Sequence, residues 1–302
     1  GNVSTASALA AMEVAEQFKR VSIVNGAASL QITNEKCTPY SIHYVYDTYA
    51  LSRGTGKAVV DSGKKTWFFV TADYAFGHTL ERDTTEVILA NGGKVLGGVK
   101  HPINTTDFSS FMAQAQASKA EVIGLANAGG DTIGSVKQAA ELGIMGSKQT
   151  VVPLLMFTSD IQALGLKQTA GMTFTEGWYW DYNDANRKFA ERFMKEFKGK
   201  APTSVQAGVY SATMQYLKAV EATKTDNSDA VMKQLKSVEI NDGLFKGKIR
   251  ADGKFEHDMY LLEVKSPGES KGPNDVAKVA KVIAAKDATL PLSQSKCKLV
   301  TN

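Results

Sequence analysis

Apolar residues along this chain switch repeatedly between two spacings. Short continuous runs, Trp67-Phe68-Phe69-Val70, Val122-Ile123-Gly124-Leu125 and 151–157 (VVPLLMF), suit strands buried on both faces. Between them the apolar positions fall at helical spacing: Leu80, Val87, Ile88 and Leu89 after the first run, Ile133, Val136 and Ala140 after the second. A further helix follows the cap at Thr105-Thr106-Asp107-Phe108 and carries Phe111, Met112 and Ala115. Asn91-Gly92-Gly93 and Gly143 supply helix stops. Strand, loop, helix and strand in succession make the parallel βαβ unit, so the fold class is α/β. In open parallel sheets ligands sit beyond the carboxyl ends of the strands. Attention therefore goes to the exit loops: 71–77 with Asp73, Tyr74 and Phe76, 126–131 with Asn127 and Ala128, and 158–160.

The flanking segments extend the pattern. Residues 4–18 read as a helix with Ser4 or Thr5 as N-cap and Leu9, Met12 and Phe18 on its buried stripe. Val21 to Val24 is a short strand that runs into Asn25-Gly26-Ala27-Ala28-Ser29. Such a small-residue turn lets a ligand approach the backbone, and Ser29 offers a hydrogen bond; a plain strand-to-loop turn explains it equally well. Residues 40–49 (YSIHYVYDTY) alternate like a strand, and 173–181 (TFTEGWYWD) form another with Trp178, Tyr179 and Trp180. Residues 186–197 form a helix with Phe189, Phe193 and Phe197 as core. Helices at 205–220 and 229–235 follow, so the topology passes into another lobe near Asp181. Residues 249–255 make a hairpin around Asp252-Gly253, with 259–264 as its second strand. The tail after Ala285 has little periodicity and is loose unless Cys297 anchors it.

Composition narrows the functional classes. A length of 302 residues favours two domains. The net charge of +4 comes from 35 basic residues scattered against 31 acidic ones, which makes no nucleic-acid footprint. No apolar run approaches the length of a membrane-spanning helix. Gly1 does not open a signal-peptide pattern, so the chain reads as a mature or trimmed product. Residues 53–57 (RGTGK) lack the spacing of a phosphate loop. There is no nucleophile elbow, no H-E-x-x-H, no Cys/His cluster and no dinucleotide fingerprint. The four histidines stand apart, with His78 nearest the exit loops. Asp73, Asp131 and Asp160 either converge for acid–base work or cap helices. Cys37 and Cys297 are either two buried thiols or a disulfide tying the tail to the first third of the chain, the latter implying an oxidising compartment. Aromatic walls with hydroxyl and amide donors suit recognition better than catalysis, and no cofactor or metal is implied.

The segments TADYAFG (71–77), GLANAGGD (124–131), LLMFTSD (154–160), EGWYWD (176–181) and ESKGP (269–273) resemble the type I periplasmic solute-binding proteins of ABC importers. The closest branch is that of the branched-chain amino-acid-binding proteins. The resemblance implies two α/β lobes of parallel sheet flanked by helices, joined by three crossovers and closing on a ligand about a hinge. It implies lobe one at 1–50 and 182–242, lobe two at 51–181 and 243–285, and a tail, 286–302, returning to lobe one. The family opens with strands and a helix that precede the equivalent of Gly1, about a third of lobe one's sheet. By position, Ser4 and Thr5 match the polar pair at a helix start. Ala27, Ala28 and Ser29 match the turn that binds the ligand carboxylate, and Tyr74 the tyrosine that covers the ligand. Asn127, Ala128 and Phe157 fall near further contacts.

Where amino-acid binders carry an acid for the ammonium, this chain has Ala50 and, in lobe two, a position near Thr158. That weakens the α-amino-acid reading and leaves an amino acid or an aromatic or other small carboxylate as the expected ligand, with Tyr46, Tyr74, Phe157 and Trp180 as pocket walls or, equally, as core. The resemblance implies a periplasmic, monomeric, non-enzymatic receptor that hands its solute to an inner-membrane permease. A sensor domain or repressor core of the same architecture, and an α/β enzyme acting on a small acid, are the rival readings.

Overall fold

The computed structural model describes residues 4–300, which form two compact units. The first holds the described residues up to Asp47, then Gly177–Met259, then those from Ile283 onward. The second holds Thr48–Glu176 and Tyr260–Val282. The chain therefore passes between units four times.

The second unit is built on a parallel sheet ordered Lys94–His101, Thr66–Ala72, Val122–Ala126, Thr150–Pro153. Trp67, Phe69, Val70, Ile123 and Leu125 are fully buried, as continuous apolar runs in a two-sided sheet require. The helices Ala75–Ala90, Ser109–Ala117 and Gly130–Glu141 connect these strands. A three-stranded sheet completes the unit: Thr173–Glu176 pairs antiparallel with Met259–Val264, whose other neighbour is Ala277–Ile283. Met259–Val264 is thus not the second strand of the hairpin, as its sequence position suggests. The run 151–157 shortens to the edge strand Thr150–Pro153, and the Leu154 N–H makes the last bond to its neighbour, at the Leu125 carbonyl.

In the first unit the strands Ser22–Val24 and Ser41–His43 pair in parallel. The helix Thr5–Gln17 sets Ala8 and Met12 against Val24, Ala27 and Ile32. The stretch 40–49 is not an alternating strand: from Ser41 to Ala50 every residue is buried, and a helical turn begins at Thr48. The RGTGK segment that follows is a π-helical turn, Ser52–Gly56, entering the helix Lys57–Asp61. Helices Asp184–Glu196, Ser204–Thr223 and Ser228–Ser237 follow in this unit. Phe189 is buried but Phe197 is 46% exposed, so the phenylalanine stripe leaves the core at its end.

An antiparallel sheet of Glu239–Asn241, Lys246–Ile249 and Phe255–His257 also lies in the first unit. Residues 243–259 therefore pack here, where the family resemblance implies lobe two. The reason is aromatic: Phe255 stacks on Tyr44 at 4.3 Å, and Phe245 meets Tyr44 edge-on at 5.8 Å. Cys37 and Cys297 form a disulfide with Cα atoms 5.6 Å apart, which anchors the tail. The Lys296 N–H adds a bond to Asn34 Oδ1.

The same core carries buried charge. Lys254 Nζ lies 3.0 Å from Asp47 Oδ2, both almost wholly buried. His43 and His257 lie nearby; burial first and the Lys254 charge second push each imidazole down to about 4. Both are therefore neutral at pH 7. An unfolded histidine takes up its proton below about pH 6.5, whereas these take it up only near pH 4. Stability must then fall as pH drops through that window, by roughly 2 kcal/mol per histidine at pH 4.5. Urea unfolding at pH 7 and pH 4.5 measures this loss. Reduction of the disulfide frees a loop spanning 260 residues and is expected to cost up to about 5 kcal/mol; urea midpoints with and without a thiol reductant read that cost.

Candidate functional site

The first unit concentrates polar backbone at one place. The strand Ser22–Val24 exits into the turn 25–29, and Ala27, Ala28 and Ser29 are buried there. The carbonyls of this turn are held from within the fold. Tyr46 donates its hydroxyl to the Gly26 carbonyl at 2.7 Å. His43 Nε2 lies 2.8 Å from the Ala27 carbonyl; since a carbonyl only accepts, Nε2 carries the ring proton. Nδ1 then holds the lone pair, and it is buried without a partner among the described residues. Among the described residues, the backbone bonds of turns and loops include none donated by Ala27 or Ala28. Ser29 Oγ accepts from the Gln31 N–H at 3.3 Å and caps the short 3-10 turn Leu30–Thr33.

The start of the helix Thr5–Gln17 belongs to the same neighbourhood, since Ala8, one turn on, packs in the cluster that contains Ala27. Ser4 is its N-cap, with extended backbone and no side-chain capping bond. Thr5 is fully buried, and its Oγ1 has no hydrogen-bond partner among the described residues. A buried hydroxyl left unpaired costs about 1–3 kcal/mol. Here it lies at a helix N-terminus, where free N–H groups and the helix dipole favour an anion. Tyr46 is thus tied to the turn that holds Ala27, Ala28 and Ser29, while Ser4 and Thr5 open the helix whose Ala8 shares a core cluster with Ala27. Trp180 is half-buried in the 177–181 segment, its ring 6.1 Å from that of Tyr179.

In the second unit the other candidates follow three strands of one sheet. Tyr74 follows Thr66–Ala72 and is the N-cap of Ala75–Ala90. The tight entry depends on Gly77, where a Cβ would stand 2.1 Å from the Ala72 carbonyl oxygen. Burial, and secondarily the charge of Asp131, pushes the Tyr74 phenol up to about 12, so it is a neutral donor at pH 7. Burial likewise raises Asp131, whose Oδ2 accepts the Asn104 N–H at 3.2 Å. Asp160 accepts the Phe157 N–H at 3.0 Å, and Asp73 pairs with the exposed His78. These carboxylates cap and brace loops.

The Asn127 side chain is bonded within the fold. Its Nδ2 donates to Ser135 Oγ at 3.0 Å and to His101 Nε2 at 3.2 Å, and its Oδ1 accepts from Thr132 at 2.9 Å. His101 Nδ1 faces the Pro102 carbonyl, which fixes the tautomer that leaves Nε2 as acceptor. The side chain is consumed in holding the 126–131 loop, with half-buried Ala128 beside it. Phe157 is half-buried at the head of Thr158–Leu164. His43, which holds the 25–29 turn, is not singled out by sequence reasoning; no motif marks it, and only its partner 16 residues upstream reveals its role. Among the described residues no group of acids, histidines and cysteines is arranged to hold a metal, and no helix is long and apolar enough to cross a membrane.

Comparison with known proteins agrees with this architecture. A periplasmic binding protein of Burkholderia mallei is 51% identical, superposes with a TM-score of 0.96, and is matched over 99% of this chain and 79% of its own. A branched-chain amino acid ABC transporter periplasmic ligand-binding protein of Burkholderia xenovorans LB400 is 34% identical with a TM-score of 0.88, over 99% of this chain and 80% of its own. The Leu/Ile/Val-binding protein homolog 6 of Brucella melitensis is 28% identical over 269 residues, 86% of this chain and 68% of that protein. The sequence profile of the family described as periplasmic binding protein matches residues 1–273, and the chain belongs to that family.

Proposed function

We propose that this chain is the extracytoplasmic receptor of an ABC importer and that its solute is a small carboxylate, an aromatic or aliphatic acid or an amino acid. Membership of the family carries the receptor role and the work with a permease. The carboxylate is supported by one observation: the buried Thr5 hydroxyl at a helix start has no hydrogen-bond partner among the described residues, and Ala8 of that helix shares a core cluster with Ala27 of the turn. A carboxylate there accepts from Thr5 Oγ1, from helix N–H groups and from the backbone N–H groups of Ala27 and Ala28. Within the second unit Tyr74, a neutral phenol, is a further candidate donor and Phe157 a candidate aromatic surface, as Tyr46 and Trp180 are within the first. Binding shifts an open–closed equilibrium, and the closed form is what the permease engages. The solute leaves unchanged, because the site offers donors and apolar walls rather than a nucleophile and base. Solute-binding proteins of Rhodopseudomonas palustris with this fold were solved with 4-hydroxybenzoate and benzoate, which makes both acids natural probes.

A thermal-shift screen of amino acids, benzoates and aliphatic acids at millimolar concentration tests the reading. A solute at about 100 times its dissociation constant adds about 2.7 kcal/mol of stability, and it must be recovered chemically intact. A screen in which nothing shifts, or in which the solute is consumed, contradicts the proposal. Thr5→Val sharpens the test through opposite signs. It removes a charge-assisted hydrogen bond and is expected to weaken binding by about 10- to 100-fold. It also removes a buried unpaired hydroxyl, so the solute-free protein should melt at the same temperature or higher.

A further inference from the structure

His257 and Asp258 lie where the four inter-unit passages begin or end within the first unit. The His257 ring is buried against Phe245 and Phe255. Its Nε2 stands 2.9 Å from the Val45 carbonyl and 3.2 Å from that of Tyr44, just before the chain leaves the unit after Asp47. Its Nδ1 faces the Asp258 carbonyl, adjoining the passage after Met259. Gly177, the first residue on the chain's return, lies against the same place: a Cβ there would stand 2.6 Å from the Val45 carbonyl and 3.3 Å from His257 Cε1. Asp258 Oδ1 accepts the Ala285 N–H at 2.9 Å, close behind the final return at Ile283. One dipeptide thus lies close to the first-unit segments beside all four unit boundaries.

We infer that His257–Asp258 is a positioning knot that keeps the chain segments next to the four unit boundaries in register inside the first unit. A neutral ring has one N–H to give. The contact that joins distant segments is the one from Nε2 to Val45, since the Nδ1 contact reaches only the adjoining residue.

Hydrogen–deuterium exchange on the full, solute-free chain tests the knot. His257→Phe keeps the bulk and loses the donor. It should speed exchange about five- to tenfold in peptides covering 44–48, 177–181 and 258–261 together, while 66–72 and 122–126 stay unchanged. His257→Gln, which restores a donor at the reach of Nε2, should return 44–48 to within about twofold of the parent protein. Asp258→Asn should loosen 283–286 alone. Acceleration confined to 257–260, or spread evenly over both units, overturns the inference, as does a His257→Gln no better than His257→Phe. Titration of the parent protein with benzoate and 4-hydroxybenzoate accompanies the exchange series. Failure there counts against the carboxylate reading and leaves the knot standing or falling on the exchange pattern alone.

Discussion

The hydrogen bond from His43 to the Ala27 carbonyl is the contact on which the conformation of the 25–29 turn depends. A turn of small residues has no side chains to hold it, so its conformation has to be set by its backbone. His43 and Tyr46 donate to the Ala27 and Gly26 carbonyls from the protein side. The start of the helix Thr5–Gln17 carries a buried threonine hydroxyl with no hydrogen-bond partner among the described residues. On the proposed reading, the N–H groups of the turn, this hydroxyl and the helix N-terminus are the donors that a carboxylate takes.

The same core carries charge. Lys254 and Asp47 are buried as a pair, which costs desolvation and is recovered only when the geometry is good. Burial, reinforced by the Lys254 charge, keeps His43 and His257 neutral, and a neutral imidazole has one N–H to donate.

Much of the second unit is legible in the sequence because its information is local. Strand, exit loop and helix follow one another within a few tens of residues, so Tyr74 falls at a strand's carboxyl end by pattern alone. The first unit is harder. Residues 40–49 look like an alternating strand, yet burial on all sides removes the meaning of alternation. The pairing of Met259–Val264 with Thr173–Glu176 is non-local and leaves no trace in either segment. Asn127 is legible as a loop residue but not as a fully bonded one, because its partner His101 lies on another strand. The disulfide is one of two readings of two cysteines, and only three-dimensional proximity decides between them.

The most direct measurement is an amide-resolved NMR titration with the tightest carboxylate and then with the corresponding neutral amide. If the first unit holds the carboxylate as described, the N–H resonances of Ala27 and Ala28 shift saturably with the acid and far less with the amide. Equal shifts with both compounds, or no response in that turn while the solute binds, would contradict the account.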